Sequence, residues 1–460
     1  MPDAVPLQDV TPATSPHKNA DQKLVDSNGR TFDFGKNTVS HVASANPFLA
    51  VLGIAQVGCL ILFGLFCDYE DPPDDAATAA AEFVYYNNVA IMMLVGFGFL
   101  MAFLKNYGLG SIGMTFLLTV IILQWTILLE GFWEGVYNNG KFHIIKIGMF
   151  DLISGHFAAA TILISFGCLI GKISPVQMCL LGLLELLFYT FNFGITLKWL
   201  GVVDIGGSIA VHMFGAFFGL AAALVWGHTP TKEEESDESS TATSDTFSLI
   251  GTVFLWIFWP SFNGAPAAHG TAQQMRVTIN TVLSLAACCT ATFFSSRFLS
   301  KSHKFGPPDI QNATLAGGVA VGAAANMIIK PWGALAIGAL GGILSTWGFR
   351  VAQPFLQNKI GLHDTCGVQN LHGWPSILGA IVSAVVAGFA KESDGYKDFD
   401  SVFPEGNRQA GHQMAGMVLT LLTALASGAL CAFIVKMIMP KEIGGGFRDV
   451  KYWEVADKVV

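Results

Sequence analysis

Two nine-residue stretches of the chain repeat the same arrangement of an aspartate, a glycine and a histidine. The stretch DIGGSIAVH runs from Asp204 to His212, and the stretch DTCGVQNLH runs from Asp364 to His372. Each has a glycine three residues after the aspartate, and each continues into an apolar run. Aspartate and histidine exchange protons and hold cations, so the repeat marks where the chain could carry out chemistry.

Helix geometry limits how the residues of one stretch can act together. Eight steps along an α-helix rise about 12 Å and turn by about 80°, so the aspartate and the histidine of one stretch cannot bond each other. We expect Asp204 and Asp364 at helix starts, where a carboxylate accepts hydrogen bonds from free backbone N–H groups. His212 and His372 then lie about 12 Å deeper, near the middle of an apolar layer ~30 Å thick.

The composition indicates a membrane protein. Hydrophobic residues make up 52% and charged residues 13% of the 460 residues, whereas soluble domains are about 25% charged. The first 45 residues are polar and do not resemble a signal peptide. The net charge of −8 gives no indication of a nucleic-acid partner. Twelve apolar stretches of roughly 20 residues could cross a bilayer: 47–67, 87–104, 111–132, 147–169, 175–198, 204–227, 246–265, 277–297, 311–329, 332–352, 369–390 and 411–439.

The distribution of charge predicts the orientation. An even number of spans puts both termini on one side, and a cytoplasmic placement puts 17 of the 25 lysines and arginines inside. The predicted domains are a polar cytoplasmic N-terminal tail (1–45), a transmembrane domain (46–440) and a cytoplasmic C-terminal tail (441–460). The acidic, Ser/Thr-rich segment 232–245 is expected to be a cytoplasmic linker too polar to pack.

The two Asp–His stretches fall in the sixth and eleventh predicted spans. Because they are five places apart in the order of spans, an odd number, the two helices cross in opposite directions, which is typical of an inverted repeat with a site at the midplane. We therefore predict an all-α polytopic membrane protein with twelve transmembrane helices and a five-helix inverted repeat around a central pore. His212 and His372 would meet at one depth; alternatively, each bonds the backbone of a neighbouring helix.

A pair of touching neutral imidazoles suits the passage of a small uncharged molecule. One ring donates a hydrogen bond while the other accepts it, so the pair needs no charge. A cation would lose its water with nothing charged to replace it, which is prohibitive in an apolar passage. Ammonium is about the size of potassium, but it alone can leave a proton behind and cross as ammonia. Ammonium and ammonia are therefore the expected permeant species.

Four segments resemble the Rhesus (Rh) glycoprotein branch of the ammonium transporter superfamily: DIGGSIAVHMFGAFFG, FWPSFN, DIQNATLAGGVAVG and DTCGVQNLHG. The likeness covers residues 47–440. It implies a multi-pass homotrimer in the lipid of the plasma membrane, with an ammonia-conducting pore in each subunit. It also implies that His212 and His372 are twin pore histidines, and that Phe157 and Phe262 are two stacked phenylalanines narrowing the outer entrance.

The resemblance assigns roles to further residues. Asn263 matches a pore-region asparagine, and Asp204 and Asp364 match aspartates with structural and ammonium-recruiting roles. Some vertebrate members carry vestibule glutamates where this chain has Phe193 and Gln357. That difference favours net ammonia passage over electrogenic transport.

Other functions stay open at this stage. They are an electrogenic transporter that moves ammonia together with a proton, a carbon dioxide channel, and a non-conducting membrane scaffold. We do not expect an enzyme, a catalytic residue, a cofactor or a metal site, because the sequence has no nucleophile motif, no H-E-x-x-H and no third ligand clustered with the histidines. Glu185, in GLLELLF, is an intramembrane carboxylate that is either functional or a hydrogen-bonded structural acid.

Overall fold

A computed structural model of the chain describes residues 24–25, 31–32, 47–138, 140–227, 236–439 and 447–454. Most of the predicted tail 1–45, residues 232–235 of the acidic segment, and the tail residues 441–446 and 455–460 lie outside the described residues. The contacts divide the chain into two units, Met1–Ala50 and Val51–Val460. In the first unit, β1 (Leu24–Val25) pairs antiparallel with β2 (Thr31–Phe32).

Long apolar helices make up most of the second unit. Among the described residues, eleven helices are long and apolar enough to cross a membrane, and one shorter, broken helix lies among them. In chain order, the twelve are α1 (Pro47–Phe66), α2 (Ala76–Phe103), α3 (Gly108–Tyr137), α4 (Met149–Leu169), α5 (Pro175–Trp199), α6 (Ser208–Trp226), α7 (Ala242–Gly264), α8 (Ala272–Leu299), α9 (307–322), α10 (Lys330–Ile360), α11 (Gln369–Phe389) and α12 (Gln409–Ile438). A last short helix, α13 (Asp449–Tyr452), follows.

The predicted ninth span, 311–329, differs from the observed helix in form. The structure breaks it into Pro307–Asn312, a 3-10 turn at Ala313–Leu315, and Ala316–Gly322. A helical segment is therefore present at the predicted ninth span, but it begins earlier, is interrupted and ends at Gly322. Pro307 and Pro308 occupy the first helical positions, ahead of the apolar run, and Gly317, Gly318 and Gly322 within it weaken a regular helix, whereas hydropathy alone reports only the apolar run.

Helix α2 begins well before its predicted start at residue 87. Asp75 caps its first turn, accepting hydrogen bonds from the backbone N–H groups of Ala77 (3.3 Å) and Thr78 (3.0 Å). The helix thus extends past the apolar run on which the prediction depended. The all-α prediction also omitted a short parallel ladder between β3 (Cys67–Tyr69) and β4 (Ile145–Ile147).

Helices α4 and α6 occupy the interior of the helix bundle. In their most apolar windows, 94% of α4 and 83% of α6 is buried, against 11% of α1. Small residues bring the two helices close together, since a Cβ atom added at Gly215 would lie 2.4 Å from the carbonyl oxygen of Thr161. Small residues allow this kind of close backbone approach between membrane helices.

The described part of the acidic segment, 236–245, is mostly exposed, but Asp237 within it is packed, which the prediction of a segment too polar to pack did not include. Asp237 is buried, accepts a hydrogen bond from Asn106 (2.5 Å) and forms an ion pair with Arg448 (2.5 Å). Helix α7 begins inside the segment, at Ala242. A charged segment can pack when a distant part of the chain supplies the opposite charge, and composition does not reveal that partner.

Candidate pore

Asp204 closes the turn that begins α6. Its Oδ2 atom accepts hydrogen bonds from the N–H groups of Ile209 (2.8 Å) and Ala210 (2.7 Å). Gly207, at φ +69°, occupies the left-handed region that favours glycine, and its N–H donates to the carbonyl of Asp204 at 3.0 Å. The predicted capping is confirmed. The next residues, Ser208–Met213, form a π-helical turn that carries the first histidine.

The second stretch forms the same turn. Asp364 accepts hydrogen bonds from the N–H groups of Val368 (3.0 Å) and Gln369 (2.9 Å). Gly367 has φ +72°, and its N–H donates to the carbonyl of Asp364 at 3.3 Å. A π-helical turn, Gln369–Gly373, again carries the histidine. The sequence repeat is therefore a structural repeat.

The two histidines meet in the interior. The Nδ1 atoms of His212 and His372 are 3.1 Å apart, and the rings are inclined by only 14°. Both side chains are buried. The first turn of α6 packs along α11, and the first turn of α11 packs along α6, as expected for helices that pass in opposite directions. The predicted contact between the two imidazoles is confirmed.

The short contact fixes how the rings share their protons. One Nδ1 atom must donate and the other must accept, so only one of the two neutral rings carries its hydrogen on Nδ1. The other ring carries its hydrogen on Nε2. The pair therefore offers one Nε2–H donor and one Nε2 acceptor to a molecule beside it. Within the described residues, the buried Nε2 atom of His212 has no hydrogen-bond partner.

An aromatic ring stacks on each of the two histidines. Phe97 stacks on His372 with centroids 6.2 Å apart and planes inclined by 12°, and Trp259 stacks on His212 at 5.6 Å and 24°. The four rings form one continuous stack that restricts rotation of both imidazoles. Neither Phe97 nor Trp259 was predicted to belong to the site. Trp259 lies in the quoted segment FWPSFN, whereas nothing in the sequence around Phe97 pointed to the site.

Phe157 and Phe262 also meet, but not as a stacked pair. Their ring centroids are 4.5 Å apart and their planes are inclined by 67°, which is an edge-to-face contact. The expectation of stacking was therefore wrong. An edge-to-face arrangement places the positive edge of one ring on the negative face of the other. Both rings are buried, and Phe262 lies 5.9 Å from His212 between ring centroids.

A cavity opens on the Asp204 side of the phenylalanine pair. It encloses about 300 Å³, and its lining includes Asp204, Phe157, Phe262 and Phe193. Because Phe262 both lines this cavity and contacts His212, the phenylalanine pair separates the cavity from the histidines.

A much smaller space lies beyond the phenylalanine pair, against His372. It measures about 20 Å³, which is room for about one water-sized molecule. Its lining is mostly apolar and includes Leu163, Ile164, Leu371 and Met101. Among the described residues, Asp364 lines neither space, since its carboxylate is occupied by the backbone of its own turn.

Asn263 lies behind the phenylalanine pair. Its Nδ2 atom donates to the hydroxyl of Thr281 (3.0 Å) and to the carbonyl of Gly318 (3.3 Å), which joins α7 to α8 and α9. In the described part of the chain it lines neither space. The side chain thus fixes the helix that carries Phe262 and is not in contact with either cavity.

The described residues contain no group of three or more histidine, cysteine, aspartate or glutamate side chains placed to hold a metal ion.

At the far end of α4, Lys172 donates to the carbonyl of Cys168 and to the hydroxyl of Thr365 (2.7 Å). Burial lowers the pKa of Lys172. These bonds anchor the turn of Asp364 to the end of α4.

Comparison with known proteins agrees with this geometry. The profile of the Ammonium Transporter Family matches residues 74–443. The chain is 41% identical over 430 residues to the ammonium transporter Rh type C of Xenopus tropicalis, covering 88% of this chain and 91% of the relative. It is 40% identical over 432 residues to the ammonium transporter Rh type B of Sus scrofa, covering 90% and 93%.

Solved structures share the fold. The Rh50 protein of Nitrosomonas europaea superimposes with a TM-score of 0.71 at 33% identity, covering 84% of this chain and 94% of that one. The Mep2 protein of Saccharomyces cerevisiae has a TM-score of 0.65 at 19% identity, which shows a common fold. From the matched profile and the extent of these alignments, the chain belongs to the ammonium transporter family, in its Rhesus branch.

Proposed function

We propose that this protein is a passive ammonia channel. Ammonium enters the cavity beside Asp204 and gives its proton to the water at that mouth of the passage. Neutral ammonia then passes Phe157 and Phe262, travels along the Nε2 edges of His212 and His372, and is reprotonated on the far side. The contact between the two uncharged imidazoles, placed between a large cavity and a space for one small molecule, carries this proposal.

The pair suits ammonia because ammonia both donates and accepts hydrogen bonds. The donor and acceptor Nε2 positions of the pair match those two capacities. The lining beyond the histidines is largely apolar, so ammonium or potassium would lose its hydration with no charge to replace it. The names of the Rh type B and type C relatives, which are ammonium transporters, point to the same permeant.

Orientation and assembly are part of the proposal. The excess of lysine and arginine in alternate loops favours cytoplasmic termini, with the Asp204 cavity facing outward. Large apolar side chains of α1 are exposed, including Ile54 and Leu60, as expected for a helix in contact with lipid or another subunit. Together with the family resemblance, this favours a homotrimer in the plasma membrane.

The test is ammonia flux into liposomes. Purified protein is reconstituted, an inward ammonium gradient is applied, and a trapped dye reports internal pH. The double variant His212→Ala/His372→Ala should change the flux or its selectivity against methylammonium while assembly is retained. His303→Ala, an exposed histidine outside the two cavities, is the matched control. Flux and selectivity equal to those of the native protein in the double variant would contradict a pore role for the pair.

A second candidate is an electrogenic channel that moves a proton as well. The shared hydrogen between the two Nδ1 atoms favours it, because such a contact is a step along which a proton could pass. Recording membrane current and ammonia flux in the same preparation separates the two. Current in proportion to flux supports the electrogenic version, and flux without current supports the passive one.

A further inference from the structure

Glu185 is a fully buried carboxyl group that the proposed passage does not use. It lies in the middle of α5, where an ionised side chain is costly. Among the described residues, no lysine or arginine forms an ion pair with it. The thiol of Cys431 on α12 is a titratable neighbour, and Tyr189 lies one turn along its own helix. None of these groups supplies a positive charge.

Glu185 belongs to a chain of hydrogen bonds through three helices. Its Oε1 atom lies 2.5 Å from the hydroxyl oxygen of Ser165, on α4. The same hydroxyl oxygen lies 2.8 Å from the carbonyl oxygen of Gly215, on α6. Both contacts are within the range of O–H···O hydrogen bonds.

Counting hydrogens along this chain gives the protonation state of Glu185. The hydroxyl of Ser165 has one hydrogen, and the carbonyl of Gly215 can only accept. The hydrogen of Ser165 therefore lies toward Gly215, and the hydrogen in the shorter contact comes from Glu185. If Glu185 were ionised, one of the two contacts would join two acceptors with no hydrogen between them.

The free oxygen of Glu185 agrees with this assignment. Its Oε2 atom is buried without a hydrogen-bond partner. An unpartnered carboxylate oxygen in an apolar interior costs far more than the unpartnered carbonyl oxygen of a neutral acid. The neutral form is the one that this environment tolerates.

The chain of hydrogen bonds ends on α6, close to His212. Gly215 is three residues beyond His212, and α4 carries both Ser165 and Phe157. The two helices are in close contact at Gly215, where an added Cβ atom would strike the backbone of Thr161. Holding α4, α5 and α6 together at this level sets the position of the histidine turn against the phenylalanine pair.

We propose that Glu185 is a protonated glutamic acid that positions α6 through Ser165. It is a positioning residue, since it lines neither of the two spaces beside the histidines. It does not carry protons across the membrane and does not bind ammonium. The functional part of this inference rests on the proposed channel activity, because flux is one of its readouts.

The first test compares three variants by liposome flux and thermal stability. Glu185→Gln keeps a donor toward Ser165, so its flux should stay close to that of the native channel. Glu185→Ala and Ser165→Ala break the chain. Losing one buried hydrogen bond changes an equilibrium constant by up to about tenfold, so the population with α6 correctly placed, and the flux with it, should fall by up to about that factor. A flux loss in Glu185→Gln as large as in Glu185→Ala, or no loss in Ser165→Ala, would overturn the proposal.

The second test does not depend on transport. Infrared spectroscopy of the reconstituted protein at pH 8 should show the carbonyl band of a protonated carboxylic acid, shifted in deuterated water and absent from Glu185→Gln. Lack of a difference between the native protein and Glu185→Gln would show that Glu185 is ionised and would refute the inference. This readout remains valid if Glu185→Ala fails to fold. It also remains valid if the double histidine variant shows that the channel proposal is wrong.

Discussion

One hydrogen joins His212 to His372, because their Nδ1 atoms are 3.1 Å apart and cannot both be protonated without repulsion. Stacking on Phe97 and Trp259 holds the two imidazole rings in this orientation. The two rings are therefore uncharged together, or carry one positive charge if the free Nε2 atom takes up a proton. Under the proposed mechanism, the narrow part of the passage therefore selects a species that can become neutral.

Replacing His372 tests whether the shared hydrogen matters. His372→Ala leaves the Nδ1 atom of His212 buried and unpaired, which should cost about 1–3 kcal/mol in the free energy of unfolding. His372→Asn can place an amide near the vacated Nδ1 position, so it should recover much of that loss. Thermal denaturation in detergent, run beside liposome flux, measures both effects. Equal stability of the two variants would argue against a hydrogen bond between the rings.

The phenylalanine pair should determine the size limit of the passage. Phe262→Ala removes the edge-to-face contact with Phe157 and opens the cavity toward His212. We expect methylammonium flux to rise several-fold relative to ammonia flux. Phe258→Ala is the matched control, since this half-buried ring on the same helix lines neither space. A flux ratio that changes equally in both variants would mean that the pair does not limit permeant size.

A carboxylate at position 193 should gather ammonium at the mouth. Phe193 lines the cavity beside Asp204. Phe193→Glu adds a negative charge there, which should lower the ammonium concentration at half-maximal flux. The effect should fade as salt screens the charge. Phe193→Gln is the uncharged control, and the same shift in both variants would exclude an electrostatic cause.

The sequence was informative wherever a local pattern had one geometric solution. The eight-residue separation of aspartate and histidine allowed the capping role of Asp204 and Asp364 to be predicted, because the two side chains cannot meet on one helix and a carboxylate at a helix start accepts from free N–H groups. The positive φ of Gly207 and Gly367 was not predicted. The inverted repeat then followed from counting spans, and with it the meeting of His212 and His372. Phe157 and Phe262 were placed only by resemblance, since buried aromatic residues are abundant in this chain.

Contacts between distant parts of the chain could not be predicted. The ring of Phe97 stacks on a histidine far along the sequence, and no spacing records that contact. Asp237 is buried because Arg448, some two hundred residues later, neutralises it. The edge-to-face geometry of the phenylalanine pair depends on the exact approach of α4 and α7. Such features depend on tertiary packing, which a single sequence does not encode locally.

Asp204 can be tested for a role beyond capping. Asp204→Ala removes the acceptor for two backbone N–H groups, and loss of a helix cap costs about 0.5–2 kcal/mol of stability. Asp204→Asn keeps a carbonyl acceptor but no charge, so it should fold better than the alanine variant. If the charge recruits ammonium, half-maximal flux in Asp204→Asn should require more ammonium. If the ammonium concentration at half-maximal flux is unchanged in Asp204→Asn, capping is the role of Asp204. Asp364→Asn is the control, because the side chain of Asp364 lines neither space.

The C-terminal segment should stabilise the helix bundle through one ion pair and one cap. Arg448 contacts Asp237 at 2.5 Å, and Asp449 accepts hydrogen bonds from the N–H groups of Leu109 (2.9 Å) and Gly110 (2.6 Å) at the start of α3. Arg448→Ala leaves Asp237 buried without its cation and should lower the free energy of unfolding by about 1–3 kcal/mol. The melting temperature of the purified protein reports the loss.

A charge exchange separates the ion pair from general damage to the segment. Arg448→Asp alone places two carboxylates together and should destabilise the protein more than Arg448→Ala. Adding Asp237→Arg restores opposite charges and should recover part of the lost stability, which a double-mutant cycle measures as a coupling free energy. Arg408→Asp, at an exposed arginine paired with Glu405, is the control for changing a surface charge. If the loss of unfolding free energy in the double variant equals the sum of the losses in the two single variants, the two residues are not coupled. The segment is then held by Asp449 and its apolar contacts.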